Sequence, residues 1–375
     1  MSIVSGFLKR QKAALGAHRT NRQGKKLHGR YLIIESDDWG AIRTPSSKAL
    51  EAFGKRGLDL GNSVYKNDSL ASNEDLDQLF NLLQSIRDNG GNPLKITANV
   101  IMANPDFEMI KAGRFLKYYF EDFRKTLLRY PSHDQAFTKW QQAMGDGLFM
   151  PQFHGREHLQ FSRWLKVLQS GNEDALFCFD LGATYSGKAD YSFMEAFDWD
   201  EPGDIDLQKI IIEEGLSMFE NVFGFKSKSF IAPCYNWDPK LEPFLLSKSI
   251  RLIQGTRFQF APTGKFENYD LIPHHFGEVS KLGLTYNVRN CFLEPSQYVN
   301  KDWVDSCLAQ IKIAFMWQKP AVICSHRINY IGCINENNRE RGLRDLKKLM
   351  DTVLKKWPDV QFISTNQLDE IMTSG

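Results

Sequence analysis

His154-Gly155-Arg156-Glu157-His158 carries two imidazoles four residues apart, and Ser36-Asp37-Asp38-Trp39 carries two adjacent carboxylates at the end of the apolar run Tyr31 to Ile34. Residues at i and i+4 lie one above the other on a helical turn, and adjacent residues at a strand tip point to different sides. Two histidines and one aspartate make a ligand set for zinc or a similar divalent ion, which in a catalytic site takes about three protein ligands and leaves a position for water. The other aspartate is then free to handle a proton. His154, His158 and one of the Asp pair thus predict a hydrolytic metal site, with His326 closing a further apolar run, Ala321 to Ser325.

Two rival arrangements compete for the same residues. His154 to His158 also spells H-x-x-E-H, the inverted zinc-peptidase signature with Glu157 as base, which demands a regular helix through both histidines. Pro151 and Gly155 crowd that helix, and the reading leaves Asp37 and Asp38 without a task. His274-His275 offers a second pair, but adjacent strand residues face opposite ways, so at most one of them reaches any site.

These residues need a frame that brings distant segments to one face. Short runs rich in β-branched and aromatic residues predict strands at Leu32 to Glu35, Ile96 to Met102, Ser229 to Pro233, Arg251 to Gly255, Tyr286 to Phe292, Ala321 to Ser325 and Val360 to Ser364. Helices are predicted between them: Ser72 to Asn89, with Ser72 and Asp75 approximating a capping box; Asp206 to Gly224; and Leu343 to Trp357 before Pro358. Strands alternating with helices imply a parallel sheet, open or closed into a barrel, with chemistry at the carboxyl ends of its strands. Asp37 and Asp38, Pro233 to Asn236, and His326 all follow predicted strands. The stretch from about 105 to 150 reads as a helical insertion that delivers the chain to His154.

In this order the motifs resemble those of the polysaccharide deacetylases, carbohydrate esterase family 4. Ser36-Asp37-Asp38 is similar to the family's T/S-F-D-D motif, His154 to His158 to its H-[ST]-x-x-H, Ile231-Ala232-Pro233-Cys234 to its R-x-P-Y, and Ile323-Cys324-Ser325-His326 to its L-x-x-H. The resemblance spans roughly residues 30 to 370. It implies a distorted (β/α) barrel of about seven parallel strands, preceded by a basic extension over residues 1–29. It also implies a metal-dependent hydrolase, with metal-bound water as nucleophile, that removes an N- or O-acetyl group from a sugar or polysaccharide precursor. Asp38, His154 and His158 would then hold the ion, most simply Zn2+, with Asp37 as base and His326 as acid.

The sequence departs from the family's pattern at three places. Gly155 stands for Ser or Thr, Ile231 for the Arg that orients the base, and no counterpart of the D-x-x-D-W motif that supports the acid His is found. Arg257, Arg289 and Asp238 are the candidates to substitute from other strands. The same departures open an alternative, a catalytically silent carbohydrate-binding protein on this scaffold. Trp39, Tyr235 and Trp237 offer ring faces to a sugar. With Cys234 and Asn236, and with Arg327, Asn329 and Tyr330 just beyond His326, they complete the expected substrate contacts.

Residues 1–30 hold eight basic residues and no acid, leaving 39 basic against 45 acidic residues beyond them. A body of that sign does not suit nucleic acid, and only the basic segment suits an anionic membrane surface. The first apolar residues are too interrupted for a secretory signal, and no run approaches the roughly 20 apolar residues of a membrane span. A cytoplasmic protein is expected, in contact with the inner membrane surface through that segment, which otherwise reads as a solvated, partly helical extension. Six cysteines without C-x-x-C spacing argue against a disulfide framework and a zinc knuckle.

Overall fold

The computed structural model describes residues 3–58, 60, 66–188, 191 and 193–374, without the side chains of 3–10 and 374. Its strands are β1 (Arg30–Trp39), β2 (Ile96–Ile101), β3 (Ala103–Pro105), β4 (Phe120–Asp122), β5 (Phe149–Gly155), β6 (Ser229–Ile231), β7 (Leu252–Gly255), β8 (Phe258–Lys265), β9 (Asn268–Pro273), β10 (Glu278–Val279), β11 (Thr285–Val288), β12 (Cys291–Phe292), β13 (Ala321–His326) and β14 (Val360–Phe362).

Among the described residues one sheet runs β10-β11-β7-β6-β5-β2-β1-β13-β12, with β14 also paired to β1. Every ladder in it except β10 with β11 is parallel. Its path is open between β11 and β12, so these ladders do not close into the expected barrel. The same stretch of chain, 285–292, nevertheless pairs with β7 through its first half and with β13 through its second.

Apolar residues on both faces hold the sheet in place. Leu32, Ile34, Ile96, Ala98, Phe149, Phe153, Phe230, Ile253 and Ile323 belong to one buried cluster. Each such aliphatic or aromatic side chain contributes about 1.5–3 kcal/mol by leaving water. The strand ends are thereby fixed, and with them the residues that follow.

The helix Asn73–Ser85 begins at the predicted capping box, Ser72 with Asp75. It stops before Asn89, because Ile86 turns extended and Arg87 bridges to Pro93. The helix Asp204–Phe223 ends at left-handed Gly224, and Glu336–Lys356 starts earlier than Leu343. Between 105 and 150 lie helices Phe107–Ala112, Phe123–Leu128 and Ala136–Gly145, together with the antiparallel β3–β4 ladder.

The histidine pair does not sit on a helical turn. Phe149 to Phe153 pairs with β2 as a parallel strand, which commits the backbone to the ladder as far as His154. Gly155, at φ 138°, then turns the chain, and His158 lies in the loop beyond. The H-x-x-E-H peptidase reading loses its helix, and Glu157 is buried against Arg156 (Nε to Oε2 2.6 Å), no free base.

The N-terminal segment is also less solvated than predicted. Its helix, Ile3–Asn21, buries Ala17 and Asn21, and Asn290 Nδ2 donates to Asn21 Oδ1 at 2.8 Å. Leu27 is buried as well. Among the described residues no helix is long and apolar enough to cross a membrane.

Candidate metal centre

The carboxyl ends of β1, β5 and β13 meet, and two irregularities in the ladders aim the side chains. Between Ser36 and Trp39 the β1–β2 register slips, so Asp37 and Asp38 together oppose Asn99. A bulge of this kind re-aims side chains that would otherwise alternate across the sheet. Asp38 adopts φ 71°, a left-handed conformation that Asp tolerates better than most residues. A second slip, between Val100 and Ile101, falls opposite His154.

Asp38 Oδ1 lies 3.2 Å from His154 Nε2 and 3.4 Å from His158 Nε2. Donors about 2.0–2.2 Å from a tetrahedral ion are about 3.3–3.6 Å apart, so this spacing fits three ligands of one cation. His154 Nδ1–H donates to the Ile231 carbonyl at 2.9 Å, the outer hydrogen bond that turns Nε2 towards the site. His158 has a buried Nδ1 with no partner. Its burial, with Arg43 nearby, holds that imidazole well below the usual histidine range, in the neutral form a metal needs.

Arg43 opposes a cation here, yet it bonds Asp38 through Oδ2, at 3.1 Å, on the other side of the carboxylate from the histidines, and Asp68 compensates it. Burial would raise the Asp38 carboxyl, but Arg43 and the two histidines hold it well below the usual range. The residues present therefore fit a divalent ion. Glu294, Cys324 and His326 form a second group of potential ligands. There, His326 Nδ1 and Glu294 Oε1 are 2.7 Å apart, the spacing of a hydrogen bond and too close for two ligands of one ion.

Asp37 and His326 are register partners across the β1–β13 ladder. His326 Nε2 points at Asp37 Oδ2, 3.8 Å away. Arg289 Nη1 and Nη2 grip both Asp37 oxygens, and Asn99 donates to Oδ1 at 2.7 Å. Burial would raise the Asp37 carboxyl, and Arg289 more than offsets it, holding the group ionised below its usual range. For His326 burial works downward, but Glu294 at Nδ1 wins and pushes the imidazole up to about 10.

Of the three candidates to substitute for the missing arginine and carboxylates, Arg289 supplies the orienting cation. Arg257 and Asp238 play no such part: Asp238 accepts from Trp199 Nε1, and Arg257 packs on Phe258. Glu294 went unnoticed, although a carboxylate just beyond the predicted strand Tyr286 to Phe292 was a usable signal. Asp68, which joins Arg43 to Arg327, had none.

Several expected substrate contacts are corrected by burial. Trp39 is fully buried against Trp140 and Phe149, and Trp237 is buried with its Nε1 on Glu242, so neither ring can face a sugar. Arg327 is enclosed, its Nε donating to the Asp38 carbonyl at 2.8 Å, and it positions that left-handed residue. Asn329 is equally enclosed and holds Glu294 Oε2 at 2.7 Å. Tyr330 bonds Ser325 from the interior. Cys234 and Tyr235 remain half-buried at the site, both at positive φ, and Tyr235 OH lies 3.3 Å from Arg289 Nη1. Asn236 is buried next to them with both side-chain polar atoms unpartnered. His274 stacks between Trp237 and Tyr286, away from the ligands.

No family model matches the sequence, and no curated protein matches it. Among solved structures the chain is similar to a protein from Parabacteroides distasonis assigned as a glycoside hydrolase/deacetylase, at 9% identity over 94% of this chain and 73% of that one, with a TM-score of 0.49. It is similar to a protein from Mycobacterium smegmatis assigned as a polysaccharide deacetylase, at 12% identity over 93% and 96% of the two chains, TM-score 0.45. A CE4 family pseudoenzyme from Bacillus anthracis matches at 7% identity over 91% and 66%, TM-score 0.39. At such identities and scores, roles have to come from the site itself.

Proposed function

We propose that this protein is a metal-dependent hydrolase that removes an acetyl group from the nitrogen or oxygen of a sugar or polysaccharide precursor, on a distorted barrel scaffold. One observation carries the reading. Asp38 stands between two imidazoles, while on the adjacent residue Asp37 faces His326, each of that pair held by its own partner of opposite charge.

Asp38, His154 and His158 would hold the ion, zinc in this reading, whose chemistry is to polarise an acyl oxygen and raise the acidity of water. Asp37, kept ionised by Arg289, takes a proton from the attacking water as its oxygen bonds the acyl carbon. His326 is protonated at neutral pH and delivers the Nε2 proton to the departing amine or alcohol, its Nδ1–H remaining on Glu294. The Tyr235 N–H is taken by the Ala232 carbonyl, so the neighbouring Cys234 N–H is the candidate donor to the acyl oxygen.

The alternative of a silent sugar-binding scaffold drew on a missing arginine and missing carboxylates. Arg289 on Asp37 and Glu294 on His326 can take those places, which supports the hydrolase reading over the silent one. The basic segment, eight cations without an acid in residues 1–30, supports a place in the cytoplasm at the inner membrane surface as part of the same reading. The test is metal content together with acetate release from N-acetylated hexosamine oligomers and acetylated envelope precursors. Bound metal with no acetate from any of them overturns the deacetylase reading.

A further inference from the structure

Beside the candidate centre, a cavity of about 380 Å³ opens between the N-terminal helix and the carboxyl ends of β7 and β11. Ala13, Gly16, Ala17 and Thr20 form one wall, and Thr256, Arg257, Arg289, Asn290 and Gln310 lie on the other sides. Arg289 is committed to Glu35 and Asp37. Arg257 is not committed. Among the described residues no carboxylate pairs with it, its Nε is buried without a hydrogen-bond partner, and its guanidinium lies over the Phe258 ring, 5.1 Å from the centroid.

A half-buried guanidinium without a counter-ion is costly to retain where a donor, here Nε, has given up water and received no acceptor. The covering segment adds to the imbalance, because residues 1–30 supply eight cations and no anion. The Thr20 and Thr256 hydroxyls donate to the Gly16 and Phe258 carbonyls, so the guanidinium is the donor here, and its planar fork of N–H groups matches a tetrahedral oxyanion. We infer that this cavity is an oxyanion site, with Arg257 as its principal donor and a phosphoryl group as its ligand class. The site stands without the hydrolase reading. Its use, holding the charged end of an anionic sugar next to Asp37 and His326, rests on that reading.

The experiment titrates inorganic phosphate into the full chain after chelator treatment, read by calorimetry. Saturable binding is expected, weakened at least about tenfold by Arg257→Gln and largely kept by Arg257→Lys. Asp38→Ala, which removes a proposed metal ligand, leaves it unchanged, so loss of the hydrolase reading does not touch this one. Gly16→Glu checks the assignment should Arg257→Gln fail to fold: a Cβ there meets nothing within 4 Å, and the added carboxylate should weaken phosphate binding as well. A hexosamine phosphate that binds tighter than inorganic phosphate marks a substrate subsite, and equal affinity marks free phosphate as the ligand. No saturable binding by the unaltered chain, or full affinity in Arg257→Gln, overturns the inference.

Discussion

Arg289 meets Asp37 edge to edge, Nη1 to Oδ2 at 2.5 Å and Nη2 to Oδ1 at 2.7 Å, while its Nε reaches Glu35 Oε2 at 2.7 Å. One cation therefore serves two buried carboxylates. It supplies the guanidinium that the resemblance expects at position 231, and it does so from the turn just past β11.

Removing that cation should cost both stability and chemistry. Arg289→Leu leaves Glu35 and Asp37 without their counter-charge, and a loss of about 3–5 kcal/mol in denaturant unfolding is expected. Arg289→Lys keeps a charge but loses the two-pronged grip, so the fold should survive while turnover falls about a hundredfold. Unchanged turnover in the lysine variant would show that the fork does not position the base.

The ligand set and the base separate by metal content. Asp38→Ala and His154→Ala should each lose the bound ion, measured as metal per chain after gel filtration. Asp37→Asn should keep it and lose turnover. Chelation should silence the unaltered protein, and zinc should restore it; an ion that stays fully bound in Asp38→Ala contradicts the ligand assignment.

Glu294→Gln tests the acid. The carboxylate is the main influence raising His326 to about 10, so its removal lowers that value and the proton is lost at lower pH. The basic limb of kcat/KM should move down by about one pH unit or more. The same sign governs stability: the paired imidazolium stabilises the fold fully below about 6.5, and that contribution fades as pH rises towards 10. A basic limb that stays in place would remove His326 from the mechanism.

Gly342→Ala probes the support behind the acid. A Cβ at Gly342 would run into the Asn329 carbonyl, because the helix Glu336–Lys356 lies directly on the turn after His326. Destabilisation of about 1–3 kcal/mol is expected from the overpacking. A wild-type midpoint in denaturant would mean the turn has room to move.

How legible the site was depends on sequence separation. Asp37 with Asp38, and His154 with His158, announce themselves because each pair is local and its residue types have few other reasons to adjoin. Even so, the spacing of the histidines suggested a helix, and the β2–β5 ladder overruled it. Trp39 and Arg327 looked available to a ligand because burial has no local signature.

The chain alone thus set the donor types, the alternation of strands and helices, and the two doublets of chemistry, since these rest on neighbours and periodicity. Only the folded sheet decided that Asp37 lies beside His326, that Arg289 orients the one and Glu294 the other, and that His154 closes a strand with His158 in the loop after it. Those pairings join residues 32 to 289 positions apart. Their geometry follows from strand register and bulges, which no short stretch of sequence encodes.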